Sequence, residues 1–250
     1  MLLGRKFRKA ILLVHGFAGG SYDYGDLGNE LQLSLEFDVY TFTLPGHDKT
    51  IISNVTKDDW IKAAETQIEK LINYGYRSIY IVGHSMGGVI ASHLAINYPK
   101  YVKKLVLAAP AFKYLSFNGE KIDITSSINS LKETPKLIKD YSLETFISRA
   151  FKMSLSSSIE FSKLVKEHHN DPKSITCPTL ILQGTNDAMV PITSAKYVHN
   201  AIKSNINELI LIQNVTHDIF KSSRSEEINA IVINFFKDQN KTPRKTKVTI

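Results

Sequence analysis

The chain contains almost no cysteine: Cys177 is the single one among 250 residues. One thiol cannot close an intramolecular disulfide bond, and without a second cysteine there is no cysteine-based zinc motif. A chain of this length buries roughly 70–75% of the surface that its unfolded form exposes, so a hydrophobic core alone can hold it together. We therefore expect an ordinary globular domain that needs neither a disulfide nor a structural metal.

Long apolar runs are missing as well. The longest ones, such as residues 10–14 and 209–212, are far shorter than the roughly 20 residues that cross a bilayer. The first run follows a basic segment, as in a signal peptide, but it leads into His15-Gly16-Phe17 without a small-residue cleavage site. We therefore predict a strand at residues 10–14, no transmembrane segment and a cytoplasmic location.

The positive charge of the chain is concentrated at its two ends. The net charge is +7, to which residues 1–9 and residues 237–250 contribute +4 each, so that the remainder carries −1. A nucleic-acid-binding groove needs positive charge along the phosphate backbone, and residues 10–236 are nearly neutral. We therefore expect no nucleic-acid partner. Residues 241–250 have no apolar period, and we predict that they form a basic, flexible C-terminal tail. Binding of this tail to a membrane surface is an alternative that vesicle sedimentation can test.

The chain does have a regular alternation of short, apolar, β-branched runs with stretches of helical spacing. This alternation predicts an α/β fold with a mostly parallel sheet of about six strands and helices on both faces. The predicted strands are residues 10–14, 38–43, 78–82, 104–108, 179–182 and 208–212. The predicted helices lie near residues 23–35, 86–98, 192–204 and 225–237, with a further one that starts at the N-cap Thr56 and ends at Gly75.

One stretch interrupts the alternation. Residues 111–173 are rich in serine, lysine and scattered aromatics, and they contain no clear buried strand. A structureless loop of that length would be unusual, so we predict a small helical insertion, with Phe146 and Phe151 on one of its helices. The predicted organisation is a core of residues 1–110 and 174–240, the insertion, and the tail.

The pentapeptide Gly83-His84-Ser85-Met86-Gly87 carries the strongest chemical signal. It follows a predicted strand and precedes a predicted helix, which is the context of a nucleophile elbow. In such a turn the serine is lifted out of the sheet, and small residues on both sides accommodate the crowded backbone. We predict that Ser85 is a nucleophile; the alternative is an ordinary structural turn.

A serine hydroxyl needs a general base to become a nucleophile, and eight histidines compete for that role. His217 follows the last predicted strand, at the edge where open α/β sheets bind ligands, so we predict that it is the base. The paired His168 and His169 could bind a metal, but the sequence offers no convincing third ligand, so we predict no metal site. The remaining histidines lie in or beside glycine-containing turns or inside predicted helices: His15, His47, His84, His93 and His199.

The base in turn needs an acid that holds its imidazole in the correct tautomer. Asp187 follows the strand 179–182 and therefore lies at the same edge of the sheet as Ser85 and His217. We predict that Asp187 is this acid; the alternative is a turn aspartate or a helix N-cap. Asp218 is the direct neighbour of His217 and is poorly placed to accept a hydrogen bond from the ring.

A glycine-rich turn after the first strand, His15-Gly16-Phe17-Ala18-Gly19-Gly20, is the fourth element. Such a turn lets backbone N–H groups face the nucleophile, and we predict an oxyanion hole made by the amides of Phe17 and Met86. Phosphate binding is disfavoured, because neither Gly-x-x-x-x-Gly-Lys-Ser/Thr nor Gly-x-Gly-x-x-Gly occurs.

Together these motifs resemble the α/β-hydrolase superfamily, and within it the small bacterial carboxylesterases and monoacylglycerol-lipase-like enzymes. The resemblance covers roughly residues 9–110 and 174–237. It rests on the elbow and its following Gly88, on the order Ser, Asp, His, and on three further segments: His15-Gly16-Phe17, Leu44-Pro45-Gly46-His47 and Cys177–Gly184 with Val190-Pro191. It implies ester hydrolysis through an acyl-enzyme, without a cofactor, under a helical cap formed by residues 111–173.

The expected substrate is a small-molecule acyl ester with a short to medium chain. A triad sets the nucleophile and not the bond that is cleaved, so a thioesterase or a carbon–carbon-bond hydrolase is an alternative. A non-catalytic protein that keeps the fold and binds a small molecule is an alternative of a different class. A burst assay with an activated acyl ester distinguishes an enzyme from such a binding protein, since a pure binder shows no turnover.

Overall fold

A seven-stranded parallel sheet lies at the centre of the structure, a computed structural model that describes residues 9–113, 117–118, 121–122, 154–239 and 242–250. Its strands are β1 (Lys9–Val14), β2 (Asp38–Thr41), β3 (Ser78–His84), β4 (Val102–Ala108), β7 (Thr179–Gly184), β8 (Ile206–Ile212) and β9 (Arg244–Thr249). The strand order is β2-β1-β3-β4-β7-β8-β9, and every neighbouring pair is parallel. The prediction of a parallel α/β sheet is confirmed, and each of the six predicted strands is present.

Helices cover both faces of the sheet. The helices are α1 (Leu27–Leu35), α2 (Lys57–Asn73), α3 (Met86–Asn97), α4 (Leu155–Glu167), α5 (Ile192–Ala201) and α6 (Ser225–Lys237). Strand β1 shows why two layers form: Ala10, Leu12 and Val14 enter the core under α2 to α5, whereas Ile11 and Leu13 enter the core under α1 and α6. Alternate residues of a strand point to opposite faces, so an entirely apolar strand is buried on both sides.

Helix α2 begins and ends as the sequence predicts. The Thr56 hydroxyl accepts a hydrogen bond from the Asp59 amide, and the Asp59 carboxylate accepts one from the Thr56 amide at 2.8 Å, which forms a capping box. Beyond the helix, Gly75 has a φ of +96°, a conformation that glycine adopts without strain. Trp60, within the helix, is fully buried.

The prediction of a flexible C-terminal tail is wrong for residues 244–249. They form β9, which pairs in parallel with β8 along its whole length. The Arg244 guanidinium contacts the carboxylates of Glu208 and Asp238 at 2.6 and 2.5 Å. An edge strand needs only backbone partners on one side and commonly carries lysines, so it shows no apolar period in the sequence.

The predicted insertion is described only in part. Helix α4 lies near its end, and a two-residue antiparallel ribbon, β5 (Phe117–Asn118) and β6 (Lys121–Ile122), lies near its start. The predicted helical residues Phe146 and Phe151 lie outside the described residues.

Within the part of the chain that the structure describes, no helix is both long enough and apolar enough to cross a bilayer.

Candidate active site

Ser85 stands in a sharp turn between β3 and α3. Its φ of +55° and ψ of −119° lie outside the regions that a residue with a side chain normally occupies. Hydrogen bonds hold this conformation: the Ser85 amide donates to the carbonyl of Ala108, and the Ser85 carbonyl accepts from the amides of Gly88 and Ala111. The turn therefore has the geometry of a nucleophile elbow, with the serine at its apex.

The glycines of the elbow are required by close backbone contacts. A Cβ added to Gly87 would lie 1.9 Å from the carbonyl oxygen of Val14, and one added to Gly83 would lie 2.4 Å from the carbonyl oxygen of Gly87. Side chains at these positions would push α3 away from β1 and β3. The Gly-x-Ser-x-Gly pattern is thus explained by packing around the turn.

Asp187 and His217 form a buried pair. The Nδ1–H of His217 donates to Asp187 Oδ2 at 2.8 Å, and the two side chains are 1% and 0% exposed, respectively. The other carboxylate oxygen, Oδ1, accepts from the amides of Met189 and Val190 at 2.8 and 2.9 Å. Gln183 adds a hydrogen bond from its Nε2 to Oδ2 at 2.9 Å.

These contacts determine the ionisation of Asp187. Burial alone would raise the pKa of Asp187, but the charge and hydrogen bond of His217 and the two backbone amides outweigh it and lower this pKa below its usual value. Asp187 is therefore a carboxylate near neutral pH. A buried carboxylate that accepts from Nδ1–H selects, in the neutral imidazole, the tautomer whose Nε2 can accept a proton.

His217 lies next to the elbow. The Nε2–H of His84, the residue before Ser85, donates to the backbone carbonyl of His217 at 3.0 Å, and the centroids of the two rings are 4.8 Å apart. The structure therefore brings the predicted Asp187 and His217 together at the same edge of the sheet as Ser85. This agrees with the strand order, because β3, β4, β7 and β8 are successive neighbours.

The turn after β1 packs against the elbow from the other side. A Cβ added to Gly16 would lie 3.0 Å from the Cβ of Ser85, so the turn that carries Phe17 runs past the serine. The amide of Met86 is the first of α3, and the first amides of a helix have no acceptor within the helix. Of the predicted oxyanion-hole residues, Phe17 follows the glycine that packs on Ser85, and Met86 follows Ser85 directly.

Asp218 is not the partner of His217. Its carboxylate lies 3.7 Å from the Nζ of Lys221, at the start of a short 3₁₀ turn, Ile219–Lys221. Cys177 is a poor rival nucleophile, because burial raises the pKa of its thiol to about 12.

Two residues near the site were missed in the sequence. Asp23, which is 1% exposed, accepts a hydrogen bond from the Gly16 amide, and its Oδ2 lies 3.7 Å from the Nδ1 of His84. The hydroxyl of Tyr24 contacts the carbonyls of Val14 and Val82, where β1 and β3 end. Both residues lie in a short 3₁₀ helix whose sequence, Ser-Tyr-Asp-Tyr, has no periodic pattern that would reveal a buried role.

The other histidines have separate surroundings. His15 Nε2 accepts from the amide of Leu44, and His47 packs edge-on against Phe17 and Trp60. The neighbours His168 and His169 diverge. His168 contacts Asp171 and lies against His93, whereas His169 stacks on Tyr197.

The sequence of the chain matches a known protein family over most of its length. The family described as Serine aminopeptidase, S33 (Hydrolase_4) matches residues 5–224. The chain belongs to this family. It is an α/β hydrolase of the esterase and lipase type, as the sequence motifs suggested.

Individual relatives agree with this assignment. The chain is 23% identical to a carboxylesterase of Bacillus subtilis over 232 residues, which cover 91% of this chain and 92% of the relative. It is 26% identical to a thermostable monoacylglycerol lipase of Bacillus sp. over 219 residues, which cover 83% and 82%. The crystal structure of a monoacylglycerol lipase from Paleococcus ferrophilus superposes with a TM-score of 0.70 at 19% identity, covering 90% and 93% of the two chains.

Proposed function

We propose that the protein hydrolyses carboxylic esters with short to medium acyl chains, with Ser85 as the nucleophile, His217 as the general base and Asp187 as the partner of the base. The observation that carries the proposal is the buried Asp187–His217 hydrogen bond beside the strained turn of Ser85. A carboxylate, an imidazole and a serine at one sheet edge are the groups that acyl transfer requires.

The proposed reaction has two halves. His217 Nε2 removes the proton of Ser85 while the hydroxyl attacks the acyl carbonyl, and the amides of Phe17 and Met86 stabilise the oxyanion. His217 then protonates the leaving alcohol, which gives an acyl-enzyme. A water molecule, activated by the same base, attacks the acyl group and releases the carboxylic acid together with free Ser85.

Two relatives support ester bonds as the substrate class, since their names are carboxylesterase and monoacylglycerol lipase. In our proposal, residues 1–110 and 174–240 supply the chemistry, and residues 111–173 form a cap over the carboxyl edge of the sheet that selects the substrate. Helix α4 belongs to this cap, and its Phe161 stacks on Phe17 with ring centroids 5.1 Å apart.

The test is a burst and steady-state assay on purified protein with activated acyl esters of increasing chain length. The wild type should give a burst of the leaving alcohol followed by turnover. Ser85→Ala should fold normally and lose about a million-fold in kcat, because the nucleophile is absent. His217→Ala should be similarly impaired, and the double variant should be no worse than either single variant, since the two side chains act as one unit.

Near-normal hydrolysis by Ser85→Ala, or additive losses in the double variant, would remove these residues from the mechanism. A wild type that binds esters but never turns them over would identify a binding protein. A wild type that is fast on thioesters and slow on oxygen esters would identify a thioesterase.

A further inference from the structure

Three side chains from two distant parts of the sequence meet outside the candidate active site. His93 lies on α3, His168 follows α4 directly, and Asp171 begins a short 3₁₀ turn, Asp171–Ser174. One ligand atom from each lies within 4.8 Å of those from the other two. We call these three residues the His93 cluster. The proposed ester hydrolysis does not use it.

The cluster is ordered by its own contacts. The imidazoles of His93 and His168 pack edge to face with centroids 5.0 Å apart, and His168 is 8% exposed. The Nδ1 of His168 is 2.8 Å from Asp171 Oδ2. The Nε2 of His93 is 2.9 Å from the Oε1 of Glu65, which lies on α2. Four side chains, from α2, α3 and the segment that follows α4, thus converge at one partly buried place.

The donor set has the chemistry of a transition-metal site. Neutral imidazole nitrogens and carboxylate oxygens are the ligands that Zn²⁺ takes in proteins, with bonds of about 2.0–2.2 Å. Ligand atoms around a tetrahedral ion are then roughly 3.4 Å apart, so the three groups would have to approach one another by about 1.4 Å at most. Asp171 and Glu65 carry two negative charges that balance those of a divalent ion.

We propose that the His93 cluster binds a divalent transition-metal ion, with His93, His168 and Asp171 as ligands and Glu65 as the residue that orients His93. A carboxylate bonded to a ligating histidine is a common outer partner in metal sites. His93 lies eight positions after Ser85, or about 12 Å along α3, so the ion has no part in ester hydrolysis.

The role of the ion would be to hold the end of the insertion on the core. Helix α4 packs on α2 and α3, and the cluster joins the residue after α4 to both of these helices. An ion bound to α3 and to the segment after α4 stabilises only the folded arrangement, because His93 is far from His168 and Asp171 in the unfolded chain. Our prediction that His168 and His169 lack a third ligand is therefore revised for His168, which lies beside Asp171, three residues further on, and His93 of α3.

The test is calorimetric titration of the chelator-treated, full-length protein with ZnCl₂. The wild type should bind one equivalent per chain, and His93→Asn and His168→Asn should each abolish this binding. Glu65→Gln should weaken it by roughly tenfold, as expected for an orienting partner. The matched control is His169→Asn, because His169 stacks on Tyr197 and is not one of the three residues of the cluster. His217→Ala should also retain the site.

A second readout is thermal unfolding. At a Zn²⁺ concentration a hundred times the Kd, the midpoint of the wild type and of His169→Asn should rise by about 5 °C or more, and that of His93→Asn should not change. No stoichiometric Zn²⁺ uptake by the wild type overturns the proposal. So does Zn²⁺ binding that survives in both His93→Asn and His168→Asn, or binding that is lost in His217→Ala.

Discussion

At the scale of single residues, the hydrogen bonds of Asp187 predict how Asp187→Asn affects ester hydrolysis. Oδ1 is occupied by the amides of Met189 and Val190, so the NH₂ group of Asp187→Asn would face the Nδ1–H of His217 and the Nε2 of Gln183. Two donors cannot bond to each other, and His217 would move its proton to Nε2, where it can no longer act as a base. We expect kcat for ester hydrolysis to fall by about ten-thousand-fold.

The control for this variant is Asp218→Asn. Its carboxylate pairs with Lys221 rather than with His217, so kcat should stay close to that of the wild type. If Asp218→Asn is the damaging change and Asp187→Asn is tolerated, the acid of the proposed mechanism has been misassigned.

His47 predicts a pH dependence of stability. Burial, and secondly the nearby His15, lower the pKa of His47 from 6.5 to about 4, against weaker opposing effects from the carbonyls of Pro45 and Leu44 and from Asp23. The unfolded chain therefore takes up a proton near pH 6.5, and the folded protein does so only near pH 4. Acidification through this interval favours the unfolded state, by about 3 kcal/mol at its lower end.

Urea unfolding across this pH interval measures the effect. His47→Gln should have a shallower loss of unfolding free energy with acidification than the wild type, whatever its stability at neutral pH. Part of the slope should remain in His47→Gln, because burial also lowers the pKa of His199. Equal slopes in the wild type and His47→Gln would show that His47 is protonated equally in both states.

At the scale of elements, the pairing of β9 with β8 predicts that removal of the C-terminal residues destabilises the protein, whereas removal of a flexible tail would not. Deletion of residues 243–250 removes the ladder with β8, the bonds of Ile250 to Leu211 and Gln213, and both ion pairs of Arg244. We expect the free energy of unfolding to fall by about 2 kcal/mol, since each partly exposed hydrogen bond has a modest net value. Thermal or urea unfolding measures the change.

Single substitutions locate this contribution. Arg244→Ala should lower stability by about 1 kcal/mol, because it leaves the carboxylates of Glu208 and Asp238 without their guanidinium partner. Lys247→Ala, on an exposed residue of the same strand, is the matched control and should have no measurable effect. A truncated chain as stable as the wild type would mean that β9 does not form in solution.

At the scale of the whole molecule, the chemistry and the choice of substrate are expected to reside in different segments. If residues 111–173 roof an apolar acyl pocket, each buried methylene contributes about 0.8 kcal/mol, so kcat/KM should rise a few-fold per methylene up to a short or medium chain and then fall. Phe146→Ala or Phe151→Ala should move the optimum to longer chains and leave activity on acetate esters. A flat profile that neither substitution moves would remove the insertion from the pocket.

Much of the core could be predicted from the sequence because its signals are local. The apolar runs gave all six predicted strands, and the capping pattern at Thr56 located the start of α2. The elbow could also be recognised, since strand, glycine, serine, glycine and helix follow one another directly in the chain. Asp187 and His217 were found by a weaker rule, that residues after parallel strands share one edge of the sheet.

The sequence by itself thus determined six of the seven strands of the sheet and the helices of the core, and it led to the proposed triad, because backbone preference and hydrophobic period act over neighbouring residues. Only the tertiary structure decided which distant groups meet. It paired the basic strand β9 with β8, placed Asp23 beside His84, and brought His93 to His168 and Asp171. Backbone pairing at a sheet edge leaves no side-chain pattern, and a contact between residues on separate helices depends on how those helices pack, which no local stretch of sequence encodes.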